Sequence, residues 1–87
     1  MAIKEYSLEM RGMAHSELEE YFLAIGGKQV GKGLYLCQNS EVNLSDSWTC
    51  TLGSLQFPAT QVRFRVEEED WPEIVKDFRF RFLSAGG

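Results

Sequence analysis

The sequence has few of the residues that disulfide scaffolds and metal sites require. Its 87 residues include two cysteines, Cys37 and Cys50, and one histidine, His15. Two cysteines are too few for a disulfide framework or a structural zinc site, and one histidine leaves the ligand set incomplete. We therefore expect two reduced thiols, no metal site and no cofactor.

Long apolar runs and excess positive charge are also missing. No apolar run approaches the roughly 20 residues that span a bilayer. Residues 1–10 carry Lys4, Glu5 and Glu9 where a signal peptide would be apolar. We therefore expect a cytoplasmic protein without membrane contact. The net charge of −4 argues against DNA or RNA as a partner, because nucleic-acid binding needs phosphate-neutralising cations.

What is present is the composition of one folded domain. Apolar residues make up 44% of the chain and charged residues 25%, which are ordinary globular values. A chain of this length rarely supports two hydrophobic cores, so we expect a single domain over residues 1–87.

Two segments have the periodicity of amphipathic helices. The first is predicted to begin near Ser16, where Ser16 and Glu19 fit a capping box, and to end at Gly26-Gly27. The second is predicted to begin at Asp70 and to run to about Leu83. Each has apolar residues at intervals of three and four positions, which form one stripe on a helix.

The second helix has a competing pattern. Phe78, Phe80 and Phe82 alternate with arginines, as they would in a strand. The helical stripe spans three turns and the alternation only five residues, so we favour the helix. Phe80 then lies off the core, and we expect it at a contact with a partner.

The remaining segments alternate as strands do, and tight turns separate them. Between Trp48 and Phe57 the apolar residues change parity, which predicts a β-bulge at Gly53-Ser54 that keeps both sets inward. Turns are predicted at Asn39-Ser40 and Pro58-Ala59. The predicted strands are Met1–Met10, Leu34–Gln38, Glu41–Leu44, Trp48–Phe57 and Thr60–Glu67.

These elements predict an α+β fold, a two-layer sandwich with a mostly antiparallel five-stranded sheet and two helices on one face. The order is β-α-β-β-β-β-α. The inward faces are predicted to include Leu34, Leu36, Trp48, Leu52, Leu55 and Phe57. The outer face would carry Tyr35 and Cys37 together with Arg63 and Arg65, and is polar enough to meet water.

Three stretches together carry a family resemblance. The first is Leu18–Gly33, a helix that ends in two glycines and is followed by another glycine pair before Leu34-Tyr35-Leu36. The second is Leu52–Val66, which begins L-G-S-L-Q-F-P and runs into V-R-F-R-V. The third is Trp71–Leu83, which is followed by Ser84-Ala85-Gly86-Gly87. In this order they resemble the C-terminal domain of MoaD-related proteins over nearly the whole chain.

The resemblance implies a fold of the TATA-binding-protein type and a setting in molybdenum-cofactor sulfur chemistry. In that family the module can follow a β-grasp sulfur carrier whose C-terminal Gly-Gly becomes a thiocarboxylate. This sequence departs from that arrangement, because a ubiquitin-like carrier should have the order ββαββ. We therefore expect the carrier domain to be absent.

We choose candidate binding residues by their expected exposure, because the sequence contains no catalytic motif. Tyr35, Arg63, Arg65 and Phe80 are the predicted binding surface, since the arginines could contact an anion or an acidic partner. No nucleophile or orienting carboxylate can be assigned to His15, which we expect to be solvated ahead of the first helix.

We therefore expect a non-catalytic accessory or interaction domain. Its expected partner is a protein, such as a sulfur carrier or a cofactor-assembly protein, and a homo-oligomer is left open. One alternative is a sulfur-carrier-like protein that uses the tail Gly86-Gly87. The other is a small-ligand-binding module with a pocket near Trp48 and Trp71.

Overall fold

The structure, a computed structural model, describes residues 2–37 and 40–86, with side chains up to Phe82. Four residues lie outside the described ones: Met1, Gln38, Asn39 and Gly87. Met1 and Gln38 are the ends of predicted strands, Asn39 belongs to a predicted turn, and Gly87 belongs to the predicted tail. The elements are β1 (Ile3–Arg11), α1 (His15–Ala24), β2 (Lys28–Gly31), β3 (Leu34–Cys37), β4 (Ser40–Leu44), β5 (Trp48–Leu52), β6 (Leu55–Glu67) and α2 (Trp71–Gly86).

The strands form one sheet in which every described pairing is antiparallel. The strand order is β1-β6-β4-β3-β2, and β5 pairs with β6 off this path. The α+β class with two helices is therefore confirmed, but the sheet has six strands rather than five. The strand missed by the prediction is β2, whose four residues are all exposed, so it has no apolar alternation to mark it.

Residues 48–67 form a hairpin in place of the predicted bulge. Leu52 pairs with Leu55, so Gly53 and Ser54 are the two-residue loop between β5 and β6. Gly53 has φ +62° and Ser54 has a negative φ, the combination of a type II′ turn with glycine first. The hairpin accounts for the parity change, because the chain reverses there instead of continuing.

Pro58 lies inside β6, so the predicted Pro58-Ala59 turn is wrong. Pro58 pairs with Thr49, and its carbonyl accepts a hydrogen bond from the Gly12 N–H at 2.7 Å. Its backbone polar groups therefore point to the β1 edge, just past the end of β1 at Arg11. The missing N–H of proline removes no hydrogen bond to β5 there.

Strands β4 and β5 lie on the same edge of β6, end to end. β4 pairs with residues 62–66 of β6, and β5 pairs with residues 55–59. The segment Ser45–Ser47, here called the β4–β5 joint, interrupts what is otherwise one long hairpin arm. The far half of that hairpin carries Leu52 and Leu55, which are 68% and 66% exposed.

The core brings buried side chains of both helices together with buried side chains of the sheet. Phe64 of β6 contacts both helices, with ring centroids 5.9 Å from Phe22 and 5.4 Å from Phe78. The buried cluster consists of Leu18, Phe22, Tyr35, Val42, Leu44, Val62, Phe64, Val66, Phe78 and Phe82. The predicted inward residues Leu34, Leu36, Trp48, Leu52, Leu55 and Phe57 are absent from it.

Both helices form where the periodicity placed them, with shifted ends. α1 begins at His15 instead of Ser16, and the Glu17 carboxylate accepts a hydrogen bond from the Ala14 N–H at 2.8 Å. The predicted capping box of Ser16 and Glu19 is therefore wrong: the Glu17 bond supplies one half of such a box two residues earlier, and Ala14 has no side-chain oxygen for the other half. α2 starts after Asp70 as predicted and continues past Leu83 to Gly86, so the helical interpretation of 78–82 is confirmed.

Candidate functional site

The sheet face that carries the exposed odd-numbered residues of β6, here called the outer face, brings together charged side chains from three strands. In cross-strand register, Arg65 lies between Glu5 of β1 and Glu41 of β4. Arg63 lies between Ser7 and Asn43 in the next row. We call Glu5, Glu41, Asn43, Arg63 and Arg65 the arginine face. Both arginines are exposed, as predicted, because odd-numbered residues of β6 point away from the core.

The two arginines have different electrostatic surroundings. Arg65 lies 3.9 Å from the Glu41 carboxylate, at the long limit for an ion pair, and Glu5 flanks its other side. Arg63 has neutral neighbours in both adjacent strands, and no carboxylate of the described part of the chain lies within ion-pair distance of it. An exposed guanidinium without an internal counterion can offer its fork of donors to a carboxylate from outside.

A shallow depression lies within the arginine face. It has a volume of about 190 Å³ and is lined by Leu34 and by the five residues of the arginine face. Small-molecule sites usually measure about 300–1,000 Å³, so the depression is too small for a cofactor-sized ligand. Its volume suits a single side chain or a carboxylate group.

Tyr35 is not part of this surface, and its predicted outward orientation is wrong. Its side chain is buried in the core, pairs with Val42 and donates a hydrogen bond from its hydroxyl to the Glu19 carboxylate. Burial, and then the bond to Glu19, raise the pKa of Tyr35 to about 12. Leu36 takes the outward position and is 48% exposed.

Phe80 is 76% exposed on α2, so its prediction as a residue outside the core is confirmed. Phe78 and Phe82, two positions to either side, belong to the buried cluster. Phe80 therefore belongs to α2, whereas Arg63 and Arg65 belong to β6. Gly86 is the last residue of α2, and Gly87 lies outside the described residues.

Trp48 and Trp71, which the prediction placed together at a ligand pocket, have different surroundings. Trp71 stacks on Tyr6 with ring centroids 4.1 Å apart, whereas Trp48 is 40% exposed and pairs with Ala59. A cavity of about 220 Å³ does lie between the helices and the sheet. Its lining includes Phe22, Cys37, Phe64, Asp77 and Phe78.

Cys37 in this cavity is a poor nucleophile. Burial raises the pKa of its thiol, although a hydrogen bond with Ser40 acts in the opposite direction. The thiolate is the reactive form, so burial lowers the reactivity of Cys37 at neutral pH. Cys50 is also a free thiol and lies on β5, where it pairs with Phe57.

A polar cluster that sequence reasoning missed lies at the β4–β5 joint. The His15 N–H donates to the Ser47 hydroxyl at 2.6 Å, and the Ser47 and Thr60 hydroxyls lie 3.0 Å apart. Thr60, fully buried, donates to the Met13 carbonyl at 2.9 Å. No sequence pattern links His15 to Ser45 and Ser47, which lie about 30 residues further along the chain. The prediction that His15 is solvated is wrong, because its side chain is half-buried and bonded to the Ser45 carbonyl.

This cluster holds the backbone and does not form a nucleophile–base pair. The His15 Nδ1 lies 2.8 Å from the Ser45 carbonyl, which can only accept, so Nδ1 carries the proton. Ser47 receives a backbone N–H instead of bonding to the imidazole ring. A Ser–His nucleophile requires the ring to accept the hydroxyl proton, and this arrangement does not provide that contact.

The rest of the described chain offers neither a metal centre nor a spanning helix. Within residues 2–37 and 40–86, no three histidine, cysteine or acidic side chains are grouped to hold a metal ion. Neither described helix has the length and apolarity to cross a membrane.

Comparison with known proteins gives a family for the chain. No curated protein matches it. The model of a family described as archaeal MoaD-like protein matches residues 6–87, which is nearly the whole sequence and includes both helices, strands β2 to β6 and most of β1. This match agrees with the MoaD-related resemblance of the sequence. The chain therefore belongs to the archaeal MoaD-like family.

Proposed function

We propose that this protein is a non-catalytic interaction domain that works beside a sulfur carrier in the cytoplasm, in molybdopterin-related sulfur chemistry. Two-layer packing of the TATA-binding-protein type would leave the outer sheet face open for a partner. Membership of a MoaD-like family supports the setting. The observation that carries the proposal is Arg63, an exposed cation that forms no ion pair with any described carboxylate and lies on the exposed face of β6.

The partner that fits this face is a protein with an exposed carboxylate. Arg63 would bind that carboxylate through two parallel hydrogen bonds, and Arg65 would lie one row away on the same strand. The exposed side chain of Leu36 adds apolar area beside the charges, as is usual at the centre of a protein contact. The small depression would receive one acidic side chain or a terminal carboxylate.

The absence of a catalytic role is part of the proposal. The His15 ring is bonded to a backbone carbonyl, and burial raises the pKa of Cys37. The arginine face holds two carboxylates and two guanidinium groups, but no cavity large enough to enclose a substrate. These observations support a role in binding.

The test uses purified sulfur carrier of the MoaD type from the same cells, labelled with a fluorophore and titrated with this protein. Arg63→Ala should weaken binding by about 10- to 100-fold, since a hydrogen bond to a charged group contributes roughly 1.5–3 kcal/mol. Arg79→Ala is the matched control, because Arg79 is an exposed arginine on α2. Circular dichroism of both variants verifies that the fold is kept.

Equal affinities of the Arg63→Ala and Arg79→Ala variants would contradict the arginine face as the contact. A carrier that shows no binding at any protein concentration would contradict the proposed partner class.

A second candidate is a sulfur carrier that uses the tail, because the family match extends through Gly86 and Gly87. Intact-mass measurement of protein purified from its own cells distinguishes the two functions. A mass gain of one thiocarboxylate, absent after deletion of Gly86-Gly87, would favour the carrier. Unmodified mass, with unchanged carrier binding by the deletion variant, would favour the interaction domain.

A further inference from the structure

Strand β5 has an open edge that lacks the features by which sheet edges usually resist pairing. One edge pairs with β6, and no other described strand pairs with the second edge. Natural sheet edges resist pairing through charges, prolines or bulges. β1 carries four charged residues, and β2 carries Lys28 and a register shift. β5, with the sequence Trp-Thr-Cys-Thr-Leu, has none of these devices.

The hydrogen-bond pattern shows which backbone groups this edge presents. Leu52 and Leu55 flank a two-residue loop, so they exchange hydrogen bonds, and bonding pairs then alternate along the strands. Cys50 and Trp48 therefore direct their N–H and C=O groups to β6. Thr49 and Thr51 direct theirs to the open edge. Both threonine side chains are exposed, so water reaches this edge.

The sequence of β5 is nearly the same in both directions around Cys50. A two-fold axis at Cys50 places Thr49 opposite Thr51 of a second copy, and Trp48 opposite Leu52 of that copy. Both pairings are favourable on neighbouring strands, since threonine pairs and aromatic–aliphatic pairs stabilise sheets. All four backbone groups at the open edge of each copy would then be bonded.

We propose that two copies of this chain pair antiparallel through β5 and join their sheets across a two-fold axis at Cys50. Trp48 and Leu52, exposed at 40% and 68%, then cover one another across the axis. The contact lies outside the arginine face, so it leaves Arg63 and Arg65 accessible.

Charge does not oppose this pairing, although each copy has a net charge of −4. β5 has no charged residue, and the acidic residue nearest to it in sequence, Asp46, comes to lie opposite Ser54 of the second copy. The contact is short, so the dimer forms at high concentration, with a dissociation constant of about micromolar or weaker, as for other small interfaces.

Disulfide cross-linking of Cys50 tests the proposed register, because the two-fold axis places the two Cys50 residues opposite each other. Opposed residues of an antiparallel pair have Cα atoms about 4.5–5.5 Å apart, within the range that a disulfide spans. Diamide accepts two electrons and two protons from the two Cys50 thiols, which form an intermolecular disulfide. Cys37→Ser should therefore cross-link like the natural protein, and Cys50→Ser should not.

Sedimentation velocity over a wide concentration range measures the dimer directly. The natural protein should shift from the 9.9 kDa monomer to a dimer as concentration rises. Thr49→Lys with Thr51→Lys places lysines opposite lysines and should raise the dissociation constant about tenfold or more. Gln29→Lys with Val30→Lys, on exposed positions of β2, is the matched control and should leave it unchanged.

A charge swap separates loss of the contact from loss of the fold. Thr49→Glu with Thr51→Glu should also be monomeric, but an equal mixture with the lysine variant should form a heterodimer. A monomer at millimolar concentration, a dimer that the lysine pair leaves intact, or cross-linking through Cys37 would each overturn the proposal. Binding of the arginine-face partner does not depend on any of these results.

Discussion

Replacing Thr60 with valine removes one hydroxyl from the centre of the polar cluster and keeps the shape of the side chain. Thr60 is fully buried, donates to the Met13 carbonyl and lies in hydrogen-bond contact with Ser47. Valine fills the same volume and suits a strand equally well, so no cavity forms. The variant thus isolates the loss of two hydrogen bonds, because the added methyl group cannot replace the hydroxyl.

The expected loss of stability comes from the lost hydrogen bonds and from the buried partner atom that is left unpaired. Each hydrogen bond contributes roughly 0.5–1.5 kcal/mol net, and a buried group left without a partner costs about 1–3 kcal/mol. We expect a loss of about 2 kcal/mol in the free energy of unfolding, since the Ser47 hydroxyl can rotate towards solvent. For a domain of this size, that loss corresponds to a fall of about 8–16 °C in Tm.

The assay is urea unfolding followed by tryptophan fluorescence, at a protein concentration low enough to keep the chain monomeric. Thr51→Val is the control, because Thr51 is an exposed threonine in the same hairpin and should change stability by less than about 0.5 kcal/mol. Equal stabilities of the two variants would refute the view that the cluster fastens α1 to the β4–β5 joint.

Two further predictions concern the core and a turn. The raised pKa of Tyr35, about 12 when folded against an ordinary value near 10, means that the folded state keeps a proton that the unfolded state loses. Stability should therefore fall between about pH 10 and 12, and should fall less in Tyr35→Phe, as measured by urea unfolding at each pH. Gly33 has φ +69°, and an added Cβ would lie 2.5 Å from the Leu44 carbonyl oxygen. Gly33→Ala should therefore destabilise the protein by clearly more than Gly12→Ala, which has φ +87° and open space; equal Tm values would contradict the close contact.

The helices were predictable because their signal is long and one-sided. In α2 the apolar stripe extends over three turns, and the alternation of Phe78, Phe80 and Phe82 could not outweigh it. Arg63 and Arg65 were also placed correctly, since strict alternation with buried Val62, Phe64 and Val66 fixes the face of a strand.

The wrong predictions came from patterns that two structures satisfy equally. In β3, both parities are largely apolar, so alternation could not decide whether Tyr35 or Leu36 faces the core. The parity change at Gly53-Ser54 fits a bulge or a hairpin, and Pro58 favoured the wrong one. The cluster around Thr60 depends on residues 13, 15, 45, 47 and 60, which only the tertiary fold brings together.

The far half of the long hairpin, residues 48–57, can change its binding properties with little effect on folding. None of the residues 48–57 belongs to the buried cluster, and within the described part of the chain β5 pairs with β6 and no other strand. Substitutions there can change what the protein associates with at little cost to the core. The hairpin is therefore the part of this domain in which binding specificity can diverge fastest, and its loop at Gly53-Ser54 is the natural point for an inserted peptide.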